Sequence, residues 1–219
     1  MFRVYVYCEG QTEESFVKNL LAPYLNLHSI DAIPIVCTTK HLSNRSYKGG
    51  VASYNKIRNE LRMLCRQHGN ELVTTMFDYY GLPKDTPSME DNEKELYRHV
   101  ENIESAIESD IGMKNCRFNL TVHEFEALLF SNPESFGVIS PESVKEIRRI
   151  KDKFGNPERI NNSQSTAPSK RLQGIIDGYS KVRMGLIVAN DIGIERILEE
   201  CPHFREWVDC IIRDSRNVM

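Results

Sequence analysis

The chain opens Phe2-Arg3-Val4-Tyr5-Val6-Tyr7-Cys8-Glu9-Gly10-Gln11-Thr12-Glu13-Glu14. Residues 2–8 are β-branched and aromatic in alternation, which predicts a strand. The run stops at Glu9-Gly10, and a helix is predicted to open at once. Thr12 suits its N-cap, because a hydroxyl can accept an orphan backbone N–H, and Glu13 and Glu14 complement the first turn. Phe16, Val17, Leu20 and Leu21 supply the apolar face of that helix. A strand that runs directly into a helix is the opening unit of a parallel α/β sheet.

The same alternation recurs downstream. Residues 32–37 predict a second strand, followed by a polar loop over 38–50. A helix over 51–68 carries Ile57, Leu61, Leu64 and Cys65 on one face and ends at Gly69-Asn70. Residues 72–77 predict a third strand that ends at Asp78, and Gly81, Pro83 and Pro87 mark a loop behind it. A charged amphipathic helix over 93–109 leads to a fourth strand over 117–122 and a short helix over 123–130. After Ser131 no strand signal remains. Helices are predicted over 141–151, 171–176, 185–199 and 203–213, with a polar Asn/Ser/Pro loop over 155–169. The expected architecture is a mostly parallel, four-stranded, Rossmann-like sheet in residues 1–131, with residues 132–219 as a helical extension packed on the same domain.

Bulk properties fit one such unit. The chain has 219 residues, 40% hydrophobic and 27% charged, with a net charge of −3. No global basic field marks it as a nucleic-acid binder, although a carboxylate metal site would itself add negative charge. None of the six cysteines forms a C-x-x-C pair, so a zinc ribbon is not expected. No export signal precedes the first strand and no apolar run reaches membrane-spanning length. A cytoplasmic protein without a membrane partner is expected.

Ligands of parallel sheets bind beyond the carboxyl ends of the strands. Glu9 follows strand one, Asp78 follows strand three, and His123 and Glu124 follow strand four. Glu13 lies one helical turn past Glu9. Carboxylates gathered on one rim repel, and they persist best around a cation. Oxygen donors suit Mg²⁺ or Mn²⁺. Each residue also has a plain structural role open to it: Glu13 and Glu14 at a helix start, Asp78 in a turn. Their joint placement at strand ends favours the metal.

The runs Cys8-Glu9-Gly10-Gln11-Thr12-Glu13 and Phe77-Asp78-Tyr79-Tyr80-Gly81 resemble the Toprim domain shared by topoisomerases, primases and the overcoming-lysogenization-defect (OLD) type nucleases. The Glu-Gly-x-Thr-Glu form, with His123-Glu124-Phe125-Glu126-Ala127-Leu128-Leu129-Phe130 and the stretch from Cys201 to Trp207, is similar to a stand-alone bacterial Toprim-like family. By that resemblance Glu9, Glu13 and Asp78 carry over as metal ligands, with Glu9 also catalytic. The sequence departs at Tyr80, where the second Asp of Asp-x-Asp would stand. Glu124 or Glu126 could supply the missing carboxylate, and Glu124, next to the strand end, is favoured. The resemblance also implies an assisting lysine, for which Lys170 is the candidate, and an ABC-class ATPase partner, since the chain has no P-loop of its own.

His123 could ligate a metal or move a proton near neutral pH. Lys40, Arg45 and Lys48, interleaved with Tyr47 and Tyr54, could hold a nucleic-acid strand, as could Arg171. Arg148, Arg149, Lys151 and Lys153 form a further basic cluster. Phe204 and Trp207 are spaced as core residues. The leading expectation is a Mg²⁺- or Mn²⁺-dependent nuclease, with DNA preferred over RNA. Two alternatives stand beside it: a non-catalytic interaction subunit, and a phosphoryl-transfer enzyme acting on a small nucleotide. Oligomeric state is left open.

Overall fold

The structure is a computed structural model describing residues 2–37, 53–91, 93–161 and 166–217. Strands β1 (Phe2–Cys8), β2 (Ile30–Val36) and β3 (Leu72–Asp78) form the body of the sheet. Two short strands, β4 (Cys116–Arg117) and β5 (Leu120–Thr121), complete it. The order is β2-β1-β3-β4, with β5 also on β3, and every pairing is parallel. The expected mostly parallel α/β, Rossmann-like fold is what the chain adopts.

The expected fourth strand over 117–122 is divided, and Thr75 explains why. Its hydroxyl donates to Asn119 O (2.8 Å) and accepts from Asn119 N (2.8 Å). A buried side chain thus replaces the ladder at Phe118-Asn119 and keeps the backbone groups satisfied. At the other edge, β2 carries Pro34 opposite Val6.

Helices cover both faces, as a parallel sheet requires. One face carries Tyr7, Val73 and Phe77, and packs against α3 (Tyr54–Gln67) and α4 (Leu96–Ile111). The second face carries Val4, Val6 and Cys8 and meets α1 (Gln11–Phe16) and α2 (Ala22–Asn26), which a π-helical turn over Val17–Leu21 joins. Val100, Ile103, Ile107 and Ile111 recur at the helical period that a one-sided burial demands.

The rest of the chain completes the second face. After α5 (Glu126–Leu129) come α6 (Val144–Phe154), α7 (Pro168–Ile175), α8 (Leu186–Ile192), α9 (Ile194–Glu200) and α10 (Pro202–Asn217). Phe136, Ile147, Val188, Phe204 and Trp207 share one apolar cluster with Val4, Val6 and Phe16. The core therefore runs unbroken across residue 131. Emptying the site of a fully buried ring such as Phe16 costs about 3–5 kcal/mol.

Several local expectations need correction. Gly10, not Thr12, is the N-cap of α1, and Thr12 is buried inside the helix. Gly10 itself is extended (φ −161°), a conformation open to any residue. Ala167 stands at the N-cap of α7. The helix expected over 185–199 is broken at Gly193 (φ +77°) into α8 and α9.

Candidate functional site

The parallel strands deliver their carboxyl ends to one rim. Glu9 follows β1 and Asp78 closes β3, and the two are linked directly: Asp78 N donates to Glu9 Oε2 (3.3 Å). Gly81 makes this contact feasible, since a Cβ there would stand 2.6 Å from the same oxygen. Glu13, in the first turn of α1, reaches the rim from the second face. Glu9, Glu13 and Asp78 are all buried, with relative exposures of 7%, 3% and 9%.

The cation at their centre comes from a part of the chain that sequence spacing did not implicate. Lys181 Nζ lies 2.8 Å from Asp78 Oδ2, 2.9 Å from Glu13 Oε1 and 3.8 Å from Glu126 Oε2. It stands 5.4 Å from the centroid of the Phe125 ring, which adds a cation–π contact. Lys181 begins a π-helical turn (Lys181–Gly185) that leads into α8. Such turns recur at functional sites. A cavity of about 360 Å³ opens in front of this group, lined by Glu9, Gly10, Gln11, Thr12, Glu13 and Lys181 among others.

Two expected members are placed differently. Lys170 is exposed on α7, where its Nζ donates to Gln173 Oε1 (3.3 Å), away from the carboxylates. Glu124 turns toward α7 and accepts from Ser169 N, where its charge meets the start of that helix. Glu126 takes the inward position instead. The cause is His123, whose φ of +63° reverses the chain just before these residues. Only a few per cent of non-glycine residues adopt that conformation. Asp78 Oδ1 then accepts from Phe125 N (2.8 Å) and fixes the reversal.

Tyr80 and His123 lock the ends of β3 and β5 together. Tyr80 N donates to His123 O (3.0 Å), and the two rings stack with centroids 5.4 Å apart. His123 is itself buried, which pushes its imidazole down to about 4, so the ring is neutral at neutral pH. Its Nδ1 lies 3.5 Å from Asn161 Nδ2.

The basic candidates divide likewise. Lys40, Arg45 and Lys48 lie outside the described residues. Arg171 is engaged locally: its Nε donates to Thr166 O (2.8 Å) and its guanidinium lies 5.0 Å from the Phe154 ring centroid. On α6, Arg148 pairs with Glu134, Arg149 with Glu146, and Lys151 with Glu200. That cluster is therefore largely neutralised.

Electrostatics set the rim apart. Burial pushes the Asp78 carboxyl well above its ordinary range, Lys181 opposes this, and Glu13, Glu9 and Glu126 push it further up. Burial likewise raises Glu126 to about 7. Burial acts to lower Lys181, but Asp78, Glu13 and Glu126 more than offset it and hold the ammonium well above its usual value. Asp78 and Glu126 therefore hold their protons more tightly than exposed carboxyls do.

A family model described as "Domain of unknown function (DUF4276)" matches residues 8–212. The chain belongs to the DUF4276 family. No curated protein and no solved structure matches this DUF4276 chain. The matched stretch takes in Glu9, Glu13, Asp78, Glu126 and Lys181 together.

The donor set of this DUF4276 chain suits a hard divalent ion, being made of carboxylate oxygens. One buried oxygen supports the fit. Glu13 Oε1 is taken up by Lys181 (2.9 Å), but Thr121 Oγ1 has no hydrogen-bond partner among the described residues. Thr121 stands opposite Asp78 in the β3–β5 register, on the same face. Buried polar atoms of this kind are few in folded proteins, and each calls for an explanation. Against this, Lys181 fills the space among the carboxylates, and among the described residues no three His, Cys, Asp or Glu side chains stand as a ready metal cage.

Proposed function

We propose that this chain is a divalent-metal-dependent phosphodiesterase, a nuclease acting on DNA in preference to RNA, with Mg²⁺ or Mn²⁺ as cofactor. One observation carries the reading: Glu13, Asp78 and Glu126 converge on Lys181 at the carboxyl end of a parallel sheet, with Glu9 bonded to the Asp78 backbone beside a cavity. The resemblance of the Glu9–Glu13 and Asp78 segments to Toprim nucleases supports the same chemistry. Among the described residues no helix is long and apolar enough to cross a membrane.

In this reading Glu9, Glu13, Asp78 and Glu126 hold the ion, which when bound stabilises charge developing on a phosphoryl oxygen. Lys181 adds a fixed positive charge within reach of the same space. His123 and Tyr80 hold the strand ends in register, and the neutral imidazole can accept a proton. By the resemblance to OLD-type nucleases an ABC-class ATPase is the proposed partner, which would supply the P-loop that this sequence lacks.

The test is cleavage of supercoiled plasmid and labelled single strands with Mn²⁺, Mg²⁺ or EDTA. Metal-dependent cleavage by the wild type, lost in both Glu9→Ala and Asp78→Ala, is the expected result. A second reading has an observation of its own. Because Lys181 already contacts three carboxylates, the rim could be an internal ion network in a non-catalytic subunit. Calorimetry with Mn²⁺ that shows no binding would favour that reading.

A further inference from the structure

A second cavity, of about 730 Å³, opens at the other end of the sheet. Phe2 and Leu72, the first residues of β1 and β3, line it, and so does Asn115, which directly precedes β4. Glu9 and Asp78 stand at the carboxyl ends of those same strands. The length of β1 separates the two places by about 20 Å. The cavity is therefore not part of the rim, and its role does not depend on the metal reading.

Its walls are the two connections that return the chain to the sheet. α3 ends at Gln67 and a turn leads into β3, while α4 ends at Ile111 and Gly112, with φ +66°, turns the chain toward β4. Asn115 fastens one connection to the other: its Nδ2 lies 3.0 Å from each of Cys65 O, His68 O and Glu71 O. The cavity is thus shaped in advance, as small-molecule sites usually are.

Both helices aim their carbonyl ends this way, which by itself disfavours an anion. Those carbonyls are already taken. Arg62 donates from Nε to Ile111 O (3.0 Å) and from Nη2 to Asp110 O (2.6 Å), and Asn115 serves the end of α3. The acidic side chains of the cavity are taken too. Glu71 pairs with Arg3 (2.9 Å) and Asp214 with Arg117 (3.6 Å). Arg66 and Lys114 are left over: both are exposed, both line the cavity, and among the described residues neither enters an ion pair. Phe2, Leu72 and Met113 give the same cavity apolar surface.

We infer that this cavity binds a small organic anion, with an apolar body against Phe2, Leu72 and Met113 and one acidic head group held by Arg66 and Lys114. The volume suits such a ligand, since small-molecule sites run to about 300–1,000 Å³. Apolar walls supply the area, and the two cations set the orientation through charge-assisted hydrogen bonds.

The probe is 1-anilinonaphthalene-8-sulfonate, apolar rings with one sulfonate, added to the full-length protein and read by fluorescence and calorimetry. One saturable site per chain is expected. Arg66→Gln combined with Lys114→Gln should weaken binding at least about tenfold. N-phenyl-1-naphthylamine, the same rings without the sulfonate, should bind the wild type at least about tenfold more weakly than the sulfonate does. Gly69→Trp should abolish binding by filling the cavity that Gly69 lines. A Cβ at Gly69 meets nothing nearer than Arg66 O at 3.9 Å, so this substitution strains nothing at the backbone. No saturable binding, or binding that Gly69→Trp leaves intact, overturns the inference. Equal binding of the neutral analogue, or a charge variant that binds like the wild type, means an apolar cavity with no preference for anions and overturns it as well. Plasmid cleavage is read separately, so either outcome here leaves the metal reading where it stands.

Discussion

Two groups of buried carboxylates lie in this molecule, and they are satisfied in opposite ways. Glu158 is 1% exposed, yet every oxygen has work to do: Oε1 accepts from Phe204 N (3.0 Å), and Oε2 accepts from His203 N (3.0 Å) and the Tyr97 hydroxyl (3.2 Å). It caps the start of α10, and His203 in turn pairs with Glu104 (3.0 Å). At the rim, by contrast, Asp78, Glu13 and Glu126 share one lysine. The structural carboxylate is surrounded by hydrogen-bond donors that match it. The carboxylates here proposed to hold an ion lie close enough to raise one another's proton affinity. Burial alone does not separate the two groups; the inventory of donors does.

Substitution sharpens the contrast. The largest effect is expected on turnover: Asp78→Ala or Glu9→Ala should lower metal-dependent cleavage at least about a hundredfold, measured by gel or fluorescent oligonucleotide assay. Glu158→Ala should leave the rim chemistry in place and destabilise the fold by about 2–4 kcal/mol, because two N–H groups of α10 lose their acceptor. That is a fall of roughly 4–16 °C in melting temperature for a chain of this size. A Glu158 variant that melts like the wild type would erase the distinction.

Glu126→Gln should go the other way. A carboxyl raised by burial from 4.5 to about 7 binds its proton more tightly folded than unfolded. Its contribution to stability is therefore full below about 4.5 and is lost as pH rises to about 7. At pH 8 the metal-free Glu126→Gln protein should be more stable than wild type by on the order of 1–3 kcal/mol, and added Mn²⁺ should shrink the difference. Thermal melts with and without EDTA decide this.

The smallest effect concerns the shape of the pH profile. His123 is lowered by burial from 6.5 to about 4, so its contribution is full above 6.5 and is lost as pH falls toward 4. That slope opposes the one from Glu126 over nearly the same window. Wild-type stability should vary little between pH 4.5 and 6.5 from these two groups. His123→Asn, which keeps a residue tolerant of the left-handed backbone, should unmask a fall in stability with rising pH. Urea melts at three pH values test it, and an unchanged profile would show that the two groups do not offset each other.

Much of the framework was legible in the sequence because it is written locally. β-branched runs gave β1, β2 and β3, and residues directly after strand ends gave Glu9 and Asp78. Glu13 followed from one turn of helix. What was not legible depends on contacts between distant segments. Lys181 meets Asp78 across 103 residues, and no spacing rule links them. Lys170 drew attention as the candidate for the assisting lysine that the resemblance implies, and it is exposed on α7 instead. Glu124 looked better placed than Glu126 until the left-handed His123 turned the chain by a residue. The division of β4 from β5 lies in the Thr75 side chain, whose preference for backbone partners only the assembled sheet reveals.

That division has a consequence for how the molecule meets its neighbours. A parallel sheet that does not close leaves two borders, each a row of hydrogen-bonding groups on which a strand from another chain could zip up. On one border Pro34 removes a donor from the row. On the other, the pairing is broken into two-residue pieces, and Thr75 has already claimed both backbone groups of Asn119. Along the described strands, then, neither border offers a long unbroken template for templated aggregation.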